Sequence, residues 1–468
     1  MLTALLLAAC SALLGHDSAP RPAVGAVHAP PPDTPNVLLV VADDLGVDKV
    51  GALGAHPRPA STPNIDALFS RGLRFDQAYS TPSCSPTRAA LLTGRQGRRT
   101  GIGSVIRMLE HEAGLPRTEV TLPEMLSRAP ESWESLYVGK WHLSVVADPD
   151  VAADPNLQGF DRYVGGLDNL TVSHEPVEDA SYTRWLKTVD GVSAVTETYA
   201  TTDEVDEALA RIPSMAEPWL SVVSFHAPHS PFHLPPRALT PTTPRDMGRP
   251  SRPKAAHAMI EALDTELGRL LRGLDAELLE RTLVVFVSDN GTSSDAMLPP
   301  WDPERAKLSL YDGGCRVPMV VAGPGVSPGR TDALSHVVDL FPTIADFAGV
   351  DLAEVVDAEG LPVVLDGVSL RPVLADPAAS VREYVYTERF RPNGGPAPDD
   401  VDDQMIRDGR YKLMRRVGVE TLFFEYGSDR WSEGPDLLPG GLTPEQRIAH
   451  DRLLAELDAR VAEMESAW

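Results

Sequence analysis

Three long apolar runs constrain the fold of this chain more than any other feature. They span residues 36–42, 219–225 and 282–288 and are rich in β-branched and aliphatic side chains. Such runs are typical of strands buried on both faces of a mainly parallel sheet. Between residues 259 and 274, apolar residues recur at three- and four-residue steps, which predicts an amphipathic helix that covers the sheet. The pattern therefore predicts an α/β fold.

Two of these runs end in side chains that offer oxygen atoms. Asp43 and Asp44 follow the first run, and Asp289 and Asn290 follow the third. Adjacent carboxylates repel each other unless a cation lies between them or solvent separates them. Ligands of α/β proteins bind at the carboxyl ends of strands, which favours a cation over a merely solvated turn. Hard oxygen ligands of this kind favour Ca²⁺ or Mg²⁺ over zinc.

The length of 468 residues exceeds one typical core, so we predict a large domain over residues 36–375 and a smaller one over 376–468. The smaller domain should hold an antiparallel sheet, because turn residues separate its short strand patterns. These patterns lie at residues 383–389, 403–406, 411–416 and 420–425. Residues 443–468 predict a closing helix, with Thr443 and Gln446 at the spacing of a capping box.

The first 35 residues are expected to lie outside the fold. Residues 1–17 form a short apolar segment that suits an export signal, and residues 18–35 form a Pro- and Ala-rich linker. The sequence ending at Cys10 resembles a bacterial lipoprotein processing box, which predicts lipid attachment there and a location in the periplasm or cell envelope. No Lys or Arg precedes the apolar run, so a start further upstream, an ordinary signal peptide and a buried N-terminal helix are the alternatives.

The charge of the chain excludes one class of partner. Its formal net charge is −25, and no block of clustered Lys and Arg is present. Binding to nucleic acid requires such clusters to neutralise phosphates, so no nucleic-acid partner is expected. A broad basic groove for long polyanions is also disfavoured, whereas a small local cationic pocket stays open.

Residues 84–95 place a cysteine where a helix is predicted to begin. Pro86 suits a first helical turn, and the following residues favour its continuation. The unpaired amides and the positive end of the helix dipole would then face Cys84, with Arg88 one turn further on, so that an anion could be held there. The alternative is that Cys84 is a small buried apolar residue beside a helix cap.

The whole string from Cys84 to Arg95 resembles the Cys-x-Pro-Ser/Thr-Arg motif of the sulfatase family, followed by Thr-Gly-Arg. Four further motifs of that family appear in the same order. They are Asp43-Asp44, Gly-Lys-Trp-His-Leu at 139–143, Ala-Pro-His-x-Pro at 227–231 and Ser-Asp-Asn-Gly at 288–291, with a segment at 307–318 similar to Lys…Glu-Gly-Gly-x-Arg-Val-Pro. The chain is thus identified as a member of the type I, arylsulfatase-like sulfatases. Departures are Ser144 for Gly and Asp312 for Glu.

The resemblance implies an alkaline-phosphatase-like fold with a large mixed, mainly parallel sheet flanked by helices and a smaller C-terminal domain of antiparallel sheet plus helix. It also implies that a formylglycine-generating enzyme oxidises Cys84 to formylglycine, whose hydrate attacks sulfur with one hydroxyl and later expels sulfate with the other. The implied catalytic residues are Cys84, Arg88, Lys140, His142, His229, Asp289 and Lys307. The implied ligands of one divalent cation, usually Ca²⁺, are Asp43, Asp44, Cys84, Asp289 and Asn290.

Two other functions remain open from the sequence. A phosphonate or phosphate ester hydrolase could use the same scaffold, and a chain with unmodified Cys84 could be a non-catalytic lipoprotein that binds sulfated ligands. The three histidines at 226, 229 and 233 could suggest zinc, but the prolines between them break helical ligand spacing. The sequence predicts that the substrate is a sulfated small molecule or carbohydrate but does not identify it. It does not predict the oligomeric state.

Overall fold

The computed structural model describes residues 34–107, 113–244, 250–394, 401–427, 430–431 and 433–465. The predicted signal segment, nearly all of the linker and Cys10 lie outside the described residues. Within the described ranges, no helix has both the length and the apolar character needed to cross a membrane.

The larger sheet contains ten strands in the order β11-β2-β10-β9-β1-β8-β4-β5-β6-β7. Its centre, from β9 to β5, is parallel. On one margin β10 is antiparallel to both β9 and β2 while β11 is parallel to β2, and on the other margin β6 is antiparallel to both β5 and β7. The strands are β1 (Asn36–Ala42), β2 (Leu73–Phe75), β4 (Glu134–Gly139), β5 (Arg162–Gly165), β6 (Trp185–Val189), β7 (Val192–Thr196), β8 (Trp219–Ser224), β9 (Thr282–Ser288), β10 (Met319–Ala322) and β11 (Gly329–Thr331). A separate pair joins β3 (Ala78–Tyr79) to β12 (Ser335–His336).

The central strands are buried on both faces, as their unbroken apolar composition predicts. Along β1, Val37 and Leu39 face one core, whereas Leu38 and Val40 face the other. Every residue of β1 and β9 is buried, because helices cover both sides of the sheet. The carboxyl ends of β1, β8 and β9 consequently meet at one edge.

Helices on both faces complete the large domain. In chain order they are α1 (Pro63–Arg71), α2 (Cys84–Thr93), α3 (Gly97–Thr100), α4 (Leu122–Leu126), α5 (Asp154–Leu157), α6 (Ala200–Arg211), α7 (Arg252–Gly273), α8 (Ala276–Glu280), α9 (Asp312–Cys315), α10 (Leu340–Ala348) and α11 (Arg371–Ala375). The predicted amphipathic helix is α7, whose Met259, Leu263 and Leu267 lie in the core shared with α1 and α6.

The C-terminal part forms a four-stranded antiparallel sheet. Its strands are β13 (Val385–Arg391), β14 (Val401–Arg407), β15 (Tyr411–Arg416) and β16 (Glu420–Glu425), followed by helix α12 (Pro444–Glu465). One face packs on α12, and the other packs on Tyr79, Leu310 and Cys315 of the large domain. Cys315 is a buried free thiol in this interface.

These features confirm the predicted fold class, while the boundary at residue 375 stays a prediction. The segment after α1 is not one continuous strand. It is divided into β2 and β3, which pair with different partners. The chain turns at Asp76, whose buried carboxylate pairs with Arg330 at 2.5 Å and Arg430 at 2.7 Å, and both arginines are distant in sequence.

Candidate active site

Helix α2 begins at Cys84, and its first residues are all buried. Gly94 ends the helix at a φ of 70°, a left-handed conformation that glycine adopts without strain. The start of α2 lies against the carboxyl end of β1, because the Sγ of Cys84 is 3.4 Å from Oδ1 of Asp43. The helix N-terminus and the strand ends therefore converge on one side chain.

The surroundings of Cys84 suppress its acidity. Burial and then the charge of Asp43 raise the pKa of the thiol far above its usual range, although Lys140 and Lys307 oppose the shift. The Nζ of Lys307 is 3.1 Å from Sγ. Because the thiolate is the nucleophilic form of cysteine, an unmodified Cys84 is a poor nucleophile here.

Three cationic side chains surround the acidic strand ends. Arg88 donates to Oδ2 of Asp289 at 2.8 Å, and Lys140 contacts Oδ2 of Asp43 at 2.5 Å. Lys307 contacts Oδ1 of Asp44 at 2.5 Å. These contacts hold the pKa of Asp43 well below its usual range despite its burial. Three carboxylates thus face three cations, and the cluster has no net charge.

Three of the five predicted metal ligands lie together. One ligand atom from each of Asp43, Asp44 and Cys84 lies within 4.8 Å of the others, in a group that also includes His229, a residue predicted as catalytic and not as a ligand. The backbone N–H of Asp44 donates to Oδ1 of Asp289 at 3.1 Å, which brings in the end of β9.

Two properties of this group fit a hard divalent cation. Asn290 donates through Nδ2 to Oδ1 of Asp44 at 2.7 Å, and its own Oδ1 is buried and has no hydrogen-bond partner among the described residues. Burial and the nearby Asp43 raise the pKa of Asp289 to about 7, so the two carboxylates repel each other at this point. A Ca²⁺ or Mg²⁺ ion would coordinate the unpartnered oxygen atom and relieve this repulsion.

His229 lies in the loop after β8 and is partly exposed. Its Nδ1 donates to the carbonyl of Ser230 at 2.8 Å, which leaves Nε2 for the site. Burial in the site lowers the pKa of His229 to about 4, so the imidazole is neutral in the absence of a further negative charge. Tyr182 supports this loop, because its hydroxyl lies 2.7 Å from the carbonyl oxygens of both His226 and His229.

His142 follows β4 at a φ of 62°, and its ring is buried. Its Nε2 lies 3.1 Å from both the Ile106 carbonyl and Oδ1 of Asp168, so this nitrogen is the donor. Burial lowers the pKa of His142, and Nδ1 is buried with no hydrogen-bond partner in the part of the chain that the structure describes. In the neutral ring, Nδ1 is therefore an available acceptor. The Ile106 N–H contacts Ser85, which links this histidine to the start of α2.

Sequence reasoning missed several residues that support the site. Asn169 accepts from Nζ of Lys140 at 2.7 Å, and Ser224 contacts the Arg88 guanidinium at 2.5 Å. Glu204 of α6 lies 2.6 Å from Nδ1 of His226, at the base of the loop that carries His229. Of these residues, only Ser224 could have been found from the sequence. It is the last residue of an apolar strand, and Asp43 and Asp289 directly follow two other apolar strands.

The loop that carries Lys307 is anchored to the C-terminal sheet. Lys412 of β15 contacts Asp312 at 2.9 Å and Glu433 at 2.6 Å, and all three side chains are buried. These cationic contacts, Lys412 above all, lower the pKa of Asp312 despite its burial. Arg316 pairs with Asp312 at 3.2 Å and donates to the carbonyl of Asp76 at 2.9 Å, so it ties this segment to the turn between β2 and β3. Asp312, which stands where the family motif has the longer Glu, is therefore held by ion pairs with Lys412 and Arg316.

An alkaline-phosphatase-like sheet with a buried site of acids, lysines and an arginine at its strand ends defines a hydrolase of anionic esters. The sulfatase family model matches residues 35–350. Arylsulfatase A of Homo sapiens is 32% identical over 412 residues, covering 81% of this chain and 74% of that protein. N-acetylgalactosamine-6-sulfatase of Canis lupus familiaris is 31% identical over 398 residues, covering 78% of this chain and 70% of that protein.

A solved structure agrees with these relatives. The crystal structure of Ps i-CgsB in complex with k-i-k-neocarrahexaose superposes with a TM-score of 0.73, at 26% identity and with 93% of both chains covered. This chain belongs to the sulfatase family. It is an arylsulfatase-like sulfuric ester hydrolase, so the predicted family and enzyme class are confirmed. Membership implies a formylglycine residue and a divalent metal ion.

Proposed function

We propose that Cys84 is the formylglycine precursor of this sulfatase, that one Ca²⁺ ion binds beside it, and that the substrate is a sulfated small molecule or carbohydrate. The observation that carries the proposal is the convergence of Asp43 and Lys307 on the Sγ of Cys84 at the start of α2. A carbohydrate is favoured by the names of two similar proteins, the N-acetylgalactosamine-6-sulfatase and the neocarrahexaose complex.

The cation would be held by Asp43, Asp44, Asp289 and Asn290 together with residue 84. Bound there, it would supply positive charge to the sulfate oxygens and to the attacking hydroxyl. Lys140 and Lys307 add two positive charges fixed by buried partners, so they stabilise negative charge that builds on the sulfate during attack. The pKa values of both lysines are raised, which keeps them charged.

Three residues would prepare the nucleophile at position 84. A hydrated formylglycine supplies two hydroxyls on one carbon. Asp289 would be the base for one hydroxyl, because it is a buried carboxylate close enough to residue 84 for its charge to act on that side chain. Arg88 holds that carboxylate in place through a bond of 2.8 Å. His142 offers its unpaired Nδ1 to the other hydroxyl.

His229 would protonate the leaving oxygen. Its Nδ1–H is held by the Ser230 carbonyl, so the transferred proton must sit on Nε2. The negative charge of the bound sulfate ester would raise the pKa of His229 above its value of about 4, so that Nε2 takes up a proton from solvent and can pass it to the leaving oxygen. General acid catalysis of this kind contributes about 10²–10⁴ in rate.

A matched panel of esters tests the proposed reaction. The full chain, produced together with a formylglycine-generating enzyme, is assayed with para-nitrophenyl sulfate, para-nitrophenyl phosphate and a phenylphosphonate ester. We expect the highest kcat/KM on the sulfate and loss of activity in Cys84→Ala. A higher kcat/KM on either phosphorus ester would instead support the alternative hydrolase, and no turnover by protein that carries formylglycine would support a ligand-binding role.

We also infer export to the periplasm or cell envelope, with a lipid on Cys10, from the apolar segment before that residue. Cell fractionation of wild type and Cys10→Ala tests this. Membrane association of the wild type and its loss in the variant are expected. A wild type found in the cytoplasm would contradict export, and a variant that stays on the membrane would contradict the lipid anchor.

A further inference from the structure

Strand β13 forms a wall beside the segment that leads to Cys84. Thr387 donates to the carbonyl of Ser80 at 3.1 Å, and Arg389 donates to the carbonyl of Leu308 at 2.6 Å. Side chains two residues apart on a strand share a face, so Arg391 extends this row. The charge of Arg391 acts on Arg389, so the two side chains lie near each other.

The row is tied directly to the reacting centre through Leu308. This residue follows Lys307, whose Nζ is 3.1 Å from the Sγ of Cys84. Leu308 has a φ of 73° and is 44% exposed, and its N–H donates to the carbonyl of Pro82 at 2.8 Å. A left-handed backbone costs a leucine conformational energy, and such strain persists where surrounding contacts hold it. Arg389 is one of those contacts, so its anchoring role alone would explain its presence.

The anchoring role does not explain Arg391. Among the described residues it forms no ion pair, and its Nε is buried without a hydrogen-bond partner. Arg389 is only weakly neutralised, since the nearest carboxylate, Asp403, is 3.9 Å away and also serves Arg416 at 3.6 Å. After burial, the charges of Arg391 and Arg416 lower the pKa of Arg389. Positive charge is thus in local excess on a chain whose net charge is −25.

We propose that Arg391, with Arg389, forms a second anion subsite that binds a carboxylate or a second sulfate group of the substrate while its sulfate ester meets residue 84. This rests on the proposed function and narrows the substrate to an ester with two anionic groups, such as a sulfated saccharide that carries a uronate or a further sulfate. A guanidinium suits this task because its planar fork of N–H donors matches both oxyanions. The subsite is local, so it agrees with an otherwise acidic surface that disfavours long polyanions.

The test compares esters that differ in a single anionic group. Formylglycine-bearing wild type is assayed on a sulfated disaccharide with a uronate, on the same sugar as its methyl ester, and on the disulfated counterpart. Para-nitrophenyl sulfate, which lacks a second anion, is the reference. The variants are Arg391→Ala and Arg391→Lys. Arg410→Ala is the matched control, because this exposed arginine beside the same sheet is already paired with Glu425 at 2.6 Å.

We expect the wild type to prefer one of the two dianionic sugars over the methyl ester by about tenfold, mainly through KM, as a charged hydrogen bond allows. Arg391→Ala should lose the preference, Arg391→Lys should keep part of it, and the control should keep all of it. Turnover of para-nitrophenyl sulfate should change less than about twofold, which also reports correct folding. Comparison of the uronate sugar with the disulfated sugar shows whether the subsite binds a carboxylate or a second sulfate.

Equal kcat/KM on the dianionic sugars and the methyl ester would overturn the subsite, as would an equal loss on every ester in Arg391→Ala. Failure of the proposed function has a different signature. In that case formylglycine-bearing wild type would not hydrolyse even para-nitrophenyl sulfate.

Discussion

The assignment of His229 as the acid for the leaving oxygen predicts that its loss depends on the leaving group. His229→Ala should lower kcat/KM by about 10²–10⁴ on an alkyl or sugar sulfate, whose alkoxide must be protonated. The loss should be small on para-nitrophenyl sulfate, whose phenolate leaves without help. Steady-state kinetics over a series of phenyl sulfates and one alkyl sulfate measures the slope of log kcat/KM against leaving-group pKa, which should steepen in the variant.

Tyr182→Phe should weaken the action of His229 without removing the histidine itself. The buried hydroxyl lies 2.7 Å from the carbonyl oxygens of His226 and His229, but it has one proton to donate. The His226 carbonyl keeps the N–H of His229 at 3.0 Å, so the variant loses the equivalent of one hydrogen bond, about 1 kcal/mol. Because this hydrogen bond positions the loop of His229, kcat/KM on esters with poor leaving groups should fall by about fivefold. A decrease that is uniform across the series for both variants would refute the role of His229.

Three further predictions concern the cation, the domain contact and pH. Removal of divalent ions with a chelator should abolish hydrolysis, and Ca²⁺ should restore it and raise the Tm; activity that persists in metal-free protein would contradict the site. Lys412→Met should lower the free energy of unfolding by about 3–5 kcal/mol in urea titrations, because Glu433 stays buried without its cation and Asp312 keeps only Arg316. The exposed Arg410→Ala should unfold like the wild type, and equal midpoints for both variants would contradict this reasoning. Burial raises the pKa of Glu119 to about 7, above its unfolded value, so its stabilising contribution is complete at pH 4 and is lost as pH rises through 7. Glu119→Gln should therefore lose less Tm between pH 5 and pH 8 than the wild type, and equal losses would contradict this.

The sequence predicted the centre of the fold and the site because the signals there are local. The runs at β1 and β9 are apolar on both faces, and the polar residues that end them, Asp43 and Asp289, necessarily meet where parallel strands meet. The motif at Cys84 also coincides with a helix start, which local composition favours. Segments of this kind can be predicted without knowing which distant residues they contact.

The supporting residues could not be predicted because their roles depend on tertiary contacts. Asn169 and Tyr182 lie in a stretch with weak periodicity, and only the packed fold brings them to Lys140 and to the His229 loop. The same cause explains the strand that divides at Asp76, since its ionic partners are far away in sequence. The roles of these residues therefore depend on hydrogen bonds and ion pairs that form only in the folded chain.

The central claim is that a formylglycine at position 84 performs the hydrolysis. Peptide mass spectrometry of several preparations, made with increasing amounts of formylglycine-generating enzyme, gives the fraction of Cys84 converted to aldehyde. Specific activity on para-nitrophenyl sulfate should rise in proportion to that fraction and extrapolate to zero when only the thiol is present, as the suppressed acidity of Cys84 requires. Full activity in a preparation that contains only the thiol would contradict the account.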